Sequence, residues 1–164
     1  MTDSNNIEGA LLEIKDLYVE YSSDMEVVKA VNGVSFSLKP GETLGLVGET
    51  GAGKTSIAKS ILRILPDPPA KIRSGEIVFD GTDLLKANEA SMRKIRGSRI
   101  SMIFQDPMTA LNPVLTVGEQ ISETIRIHRK VSKAESVEAG KKMLEMVGIP
   151  ANRYEEYPHQ SPEE

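Results

Sequence analysis

The 164-residue sequence has no cysteine and no tryptophan. Without thiols there is no disulfide framework, no thiol nucleophile and no thiolate metal site. Neither sign of charge dominates: Lys and Arg number 20 against 24 Asp and Glu, a net charge of −4. That balance gives no broad pull toward nucleic acid or anionic lipid, so no nucleic-acid partner is expected. No apolar run approaches the ~20 residues needed to cross a bilayer, and any work at a membrane must therefore pass through a partner. The first residues, Met1 to Gly9, are polar and carry Asp3 and Glu8. They lack the basic start and apolar centre of a secretory signal, which predicts no export. What remains, 39% hydrophobic and 27% charged, is the composition of an ordinary globular chain of about one domain with a sizeable core. Wholesale disorder, collagen and coiled coil are excluded on the same ground.

Apolar and polar side chains alternate from Leu12 to Tyr21, with a slip at Lys15-Asp16. The pattern predicts a half-buried strand with a bulge at the slip. Val27 to Val31 and Val34 to Leu38 read as two further strands, and Pro40-Gly41 turns the chain into Thr43 to Val47. That nearly continuous apolar run is expected as a strand buried on both faces. Ile57, Ile61, Leu62 and Leu65 then recur at helical spacing, and the prolines at 66, 68 and 69 are expected to end the helix. Glu76 to Phe79 reads as a short strand closed by a tight turn at Asp80-Gly81. Glu89 to Arg96 reads as a short basic helix, and Ile100 to Phe104 as another buried strand. Beyond Pro107 only helical periodicity appears, over Val117 to His128 and Lys133 to Val147. There are no repeats. The division expected is an α/β part over residues 11–106 and the start of a helical part over 107–164.

Between the expected strand ending at Val47 and the following helix lies Gly48-Glu49-Thr50-Gly51-Ala52-Gly53-Lys54-Thr55, two glycines separated by four residues and followed by Lys and Thr. This is the phosphate-binding loop pattern. Glycines let the chain wrap a phosphate with its amides, where a Cβ would block the approach. The start of the helix adds free N–H groups and the positive end of the helix dipole. Lys54 would reach the β and γ phosphates, and the Thr55 hydroxyl is a hard oxygen ligand for Mg²⁺. The bland alternative, a glycine-rich turn capping a helix, leaves the lysine and the threonine unexplained.

Tyr21 closes the first strand just before a polar turn and offers a flat apolar face on which a base could stack, although a lone tyrosine is more often core or surface. Gln105 follows the expected strand Ile100 to Phe104, at the carboxyl end where open α/β sheets place ligands. An amide there can meet a metal ion and donate to a water. His128 and His159 have no ligand companions at short spacing and read as surface or capping residues. Arg93, Lys94, Arg96 and Arg99 lack interleaved aromatics and read as a solvated face.

With these residues in view, the chain resembles the ATP-binding subunits of ABC transporters, most closely those of bacterial oligopeptide and dipeptide importers. Gly48 to Ser56 looks like the family's Walker A motif, so Gly48, Glu49, Thr50, Gly51, Ala52, Gly53, Lys54, Thr55 and Ser56 are implied as nucleotide contacts. Tyr21 falls where the family has its adenine-stacking aromatic. Ile103-Phe104-Gln105-Asp106-Pro107-Met108-Thr109-Ala110-Leu111-Asn112-Pro113 is similar to the Q-loop region of the peptide-importer branch. The resemblance therefore implies Lys54 and Gln105 as catalytic residues, Thr55 and Gln105 as Mg²⁺ ligands, and ATP with Mg²⁺ as the bound group. Tyr157-Pro158-His159-Gln160 resembles the run that precedes the family's signature. The implied fold is α/β, a P-loop NTPase-type ABC ATPase core with an antiparallel β subdomain and part of an α-helical subdomain.

The resemblance also implies partners: a second ATP-binding subunit in a head-to-tail pair, transmembrane permease subunits, and a solute-binding protein indirectly. The expected location is the cytoplasmic face of the cell membrane, held through the permease. After Gln160 the family continues with its signature, the Walker B strand and a switch histidine, whereas this sequence reads Ser161-Pro162-Glu163-Glu164. The expectation is an incomplete core that binds nucleotide weakly at best and hydrolyses it slowly or not at all. It also leaves Thr43 to Val47 with an open edge, since the family flanks that strand with later ones. Two other readings compete: a non-catalytic nucleotide-binding or interaction module, and an unrelated P-loop kinase, for which no acceptor site or lid is visible.

Overall fold

A computed structural model describes residues 9–106 and 110–160. The Q-loop-like residues Pro107, Met108 and Thr109, and the ending Ser161 to Glu164, lie outside the described residues. The chain divides into two compact units, one ending at Arg93 and the other beginning at Lys94. Among the described residues no helix is long and apolar enough to cross a membrane.

The first unit is built on a four-stranded antiparallel sheet of β1 (Leu12–Ser22), β2 (Val27–Leu38), β3 (Ala70–Phe79) and β4 (Thr82–Asp83), in the order β2-β1-β3-β4. The slip read at Lys15-Asp16 is a bulge: pairing with β2 breaks between Ile14 and Leu17, and Asp16 turns to φ 44°. Shifting the two-residue period by one keeps Ile14, Leu17 and Val19 all buried, where an unbroken strand would turn Leu17 and Val19 outward. Ser35 holds the bulge, taking the Asp16 N–H at 2.8 Å and donating to the Asp16 carboxylate at 3.3 Å. The turn at Asp80-Gly81 has positive φ at both residues, 47° and 73°, as a two-residue hairpin loop requires. Ile14, Leu17, Val19, Val31, Ala70, Ile77, Phe79 and Leu84 are buried, as are Ile57 and Leu62 of helix α1 (Lys54–Leu62).

Several expectations are corrected. The two strands expected over 27–38 are one, with Gly33 inside it at φ 71°. β3 begins at Ala70 rather than Glu76, because its first half pairs with β1 as far as Tyr21, a non-local gain that overrides its polar sequence. Helix α1 ends three residues before the position expected from Leu65. Arg63 takes the left-handed conformation, its N–H reaching the Lys59 and Ser60 carbonyls, while its guanidinium donates to the carbonyls of Leu84 at 3.2 Å and Ala87 at 2.5 Å. Thr43 to Val47 is not a strand, and neither is Ile100 to Phe104. Val47 is 98% exposed and Ile103 95%. The reason is the same for both: an apolar run becomes a strand only when another strand takes up its N–H and C=O groups. Among the described residues that pairing is limited to one bridge, between Arg96 and Ile100. A short helix, α2 (Glu89–Ile95), runs through the division of the chain.

The second unit pairs helices α3 (Val117–His128) and α4 (Lys133–Met146), followed by 3₁₀ turns at Ala151–Glu155 and Pro158–Gln160. Both helices open with a reciprocal capping box, Thr116 with Glu119 and Ser132 with Glu135. Tyr154 packs between them, its hydroxyl hydrogen-bonded to Ser122, which in turn reaches the Ser136 carbonyl at 3.1 Å. The Gln120 amide ties down the preceding loop, donating to the Asn112 carbonyl at 3.0 Å and accepting from the Asn112 N–H at 2.9 Å.

Candidate functional site

The first unit holds the glycine loop at the N-terminus of α1. Gly53 is the residue before the helix, with φ 80°, and a Cβ there would lie 2.0 Å from the Ala30 carbonyl oxygen of β2. Only a residue without a side chain can bring the loop this close to the sheet. The first bond of the helix runs from the Ile57 N–H to the Gly53 carbonyl at 2.9 Å. The N–H groups of Lys54, Thr55 and Ser56 precede that ladder and point out of the helix end, along the positive end of its dipole.

Lys54 folds back over the loop, its ammonium donating to the carbonyls of Gly48 at 2.6 Å and Glu49 at 2.7 Å. The loop is closed internally by the Ala52 N–H to the Glu49 carbonyl at 3.1 Å. A positive charge is thus gathered with free amides around one turn, while Gly48, Glu49, Thr50, Gly51, Ala52 and Thr55 remain exposed. A Cβ at Gly51 would meet nothing within 4 Å, so space above the loop is open. This donor set fits a polyphosphate, and the exposed Thr55 hydroxyl fits a phosphate-bound Mg²⁺, whose preferred ligands are oxygens.

Tyr21 lies at the end of β1, paired to Val28 and Ala70, and its hydroxyl is 3.1 Å from the Ser56 hydroxyl. The structure therefore brings Tyr21 to the glycine loop's helix. Sequence reading had no signal for the tie itself, nor for Ala30, whose backbone carbonyl limits residue 53. Gln105 belongs to the second unit, where it is exposed in a bend rather than at the end of a strand. The strand that was to present it is absent among the described residues. His128 packs against Gly97, and His159 stacks on Tyr157 with ring centroids 5.7 Å apart. Among the described residues no group of three or more His, Asp or Glu could hold a metal.

A glycine loop at a helix N-terminus, with an inward-folded lysine and a following threonine, defines a phosphate-binding-loop protein of the α/β class. The family profile described as ABC transporter matches residues 31–161, and the chain belongs to that family. It is 48% identical over 159 residues to a probable peptide ABC transporter ATP-binding protein of Sinorhizobium fredii, covering 96% of this chain and 48% of that one. It is 47% identical to the dipeptide transport ATP-binding protein DppD of Bacillus subtilis, covering 92% of this chain and 45% of the relative. The chain thus spans about half the length of these relatives. Among solved structures, a dimeric bacterial ABC transporter cassette matches with a TM-score of 0.78 at 22% identity, over 92% of this chain and 63% of that one. The fold is that of part of an ABC ATPase core.

Proposed function

We propose that the chain carries the nucleotide-binding part of an ATP-binding subunit of a peptide-type importer. Residues 11–106 hold the nucleotide part in this reading, and residues 107–164 begin a helical part that serves coupling. The observation that carries the proposal is the Lys54 ammonium folded over the glycine loop that leads through Gly53 into α1. ATP would lie with its phosphates in the turn, its Mg²⁺ on Thr55, and its base against Tyr21. The names of the relatives supply the solute class, oligopeptide and dipeptide transport among them. The wider assembly in this reading is a head-to-tail pair of ATP-binding subunits on the cytoplasmic side of permease subunits, which a solute-binding protein feeds. Gln105, in the second unit, would be the Q-loop glutamine of that assembly.

Phosphoryl transfer to water needs charge stabilisation together with a positioned nucleophile. Lys54 and Thr55 serve the first need. Calorimetric titration with Mg-ATP tests the reading, with Lys54→Ala alongside. Binding that disappears in the variant supports it. No binding by a cooperatively folded chain, or binding indifferent to Lys54, overturns it.

A further inference from the structure

Tyr21 is fixed at both ends. Its backbone sits in the central strand, bonded into the sheet on both sides, and its hydroxyl meets Ser56 in the first turn of α1 at 3.1 Å. We propose that this hydroxyl pair makes Tyr21 a positioning residue that ties the base platform to the phosphate turn, so that preference for a nucleoside triphosphate over a bare polyphosphate depends on it. The inference rests on the nucleotide reading given above.

The chemistry follows from what each hydroxyl can do. A hydroxyl donates one hydrogen bond and accepts two. When the Tyr21 O–H donates to the Ser56 oxygen, the Ser56 O–H stays free to donate to a phosphate oxygen. The tether is made by the hydroxyl, and the ring is the part of Tyr21 on which a base would stack. A free tyrosine would lose rotamer freedom when a base stacks on it, and here that freedom is already surrendered before the ligand arrives. The distance from base platform to phosphate turn is then set by the protein rather than by the ligand. Ser60 extends the same arrangement into the core: it is fully buried, and its hydroxyl donates to the Ser56 carbonyl at 2.7 Å.

The test compares Mg-ATP with Mg-tripolyphosphate as calorimetric titrants of the full chain and of Tyr21→Phe, which keeps the ring and removes only the hydroxyl. The expected result is roughly a three- to tenfold loss of affinity for Mg-ATP, the scale of one hydrogen bond, with tripolyphosphate affinity changed less than about twofold. Ser56→Ala should weaken both ligands, and adding Tyr21→Phe to it should cost no further ATP affinity. Wild-type affinity for ATP in a folded Tyr21→Phe overturns the inference alone, as do equal losses for the two ligands or additive losses in the double variant. A wild-type chain that binds neither ligand overturns the nucleotide reading and this inference with it.

Discussion

Gly53 and Ala30 are in backbone contact: a side-chain carbon on the glycine would stand 2.0 Å from the alanine's carbonyl oxygen, far inside any allowed approach. Gly53→Ala must therefore lift the loop off β2 and also force a Cβ into φ 80°. The expected cost is at least about 1–2 kcal/mol of stability, together with loss of Mg-ATP binding. Urea denaturation and calorimetry on the same preparation would measure both. An alanine variant of wild-type stability would show that the close approach is not retained in solution.

In the helical unit the corresponding contact is between Gly118 and the Tyr154 ring, 2.3 Å from where a Cβ would sit. Gly118→Ala should displace the ring and lower the melting temperature, even though alanine is the better helix former. Tyr154→Phe should cost only about 1 kcal/mol, the worth of the hydroxyl bond to Ser122, whose own bond to the Ser136 carbonyl survives. If the phenylalanine variant proved the more damaging of the two, packing around the ring would not be what holds the helices together.

Acid should loosen both units. Burial alone would raise the Asp83 carboxyl, but the Lys86 ammonium at 2.8 Å and the Leu85 N–H at 2.9 Å outweigh it and hold the group below its ordinary value. Glu135 is also lowered, by the Ser132 N–H at 2.8 Å and the Ser132 hydroxyl at 2.7 Å. Both folded values lie below the unfolded ones. Their stabilisation is therefore present above the unfolded pKa and is lost as pH falls through the folded pKa. Melting temperature should fall between about pH 5 and pH 2, less steeply in Asp83→Asn and Glu135→Gln, which start lower. A flat profile over that range, or unchanged slopes in the variants, would contradict the assignment.

The run from Thr43 to Val47 offers apolar side chains on backbone that pairs with no strand among the described residues, with Leu44 and Leu46 exposed by 43% and 42%. Exposed apolar segments of this kind favour association with other chains. Concentrated protein should self-associate, and Val47→Lys should reduce the association in light scattering. A monodisperse wild-type monomer would refute this.

What the sequence discloses depends on whether the relevant partner is near in the chain. The bulge at Asp16, the turn at Asp80-Gly81, the glycine loop and the bounds of α3 are set by local spacing and local backbone demands, and each stands where its residues place it. Thr43 to Val47 and Ile100 to Phe104 read as strands because they are apolar, but strand character is completed only by a neighbour, and none pairs with them along their length among the described residues. The early start of β3 failed in the opposite sense: Lys71 and Ser74 look like loop until β1 pairs with them. The same holds for the candidate site. Lys54 and Thr55 declare themselves by spacing, whereas the limit set by Ala30 and the tie from Tyr21 to Ser56 arise from strands brought in from elsewhere in the chain.

The placement of β1 at the centre of the sheet bears on how the unit is born. β1 and β2 can pair as soon as Leu38 has been synthesised, but the other edge of β1 waits for β3 to end at Phe79. At translation speeds of about 5–20 residues per second, the roughly forty intervening residues take about 2–8 s, long compared with hairpin closure. The phosphate loop and α1 emerge during that interval, onto a two-stranded ribbon rather than a finished sheet. On the ribosome, then, the Gly53 contact with β2 can be made before β3 locks the sheet, and the order of manufacture favours assembling the loop first.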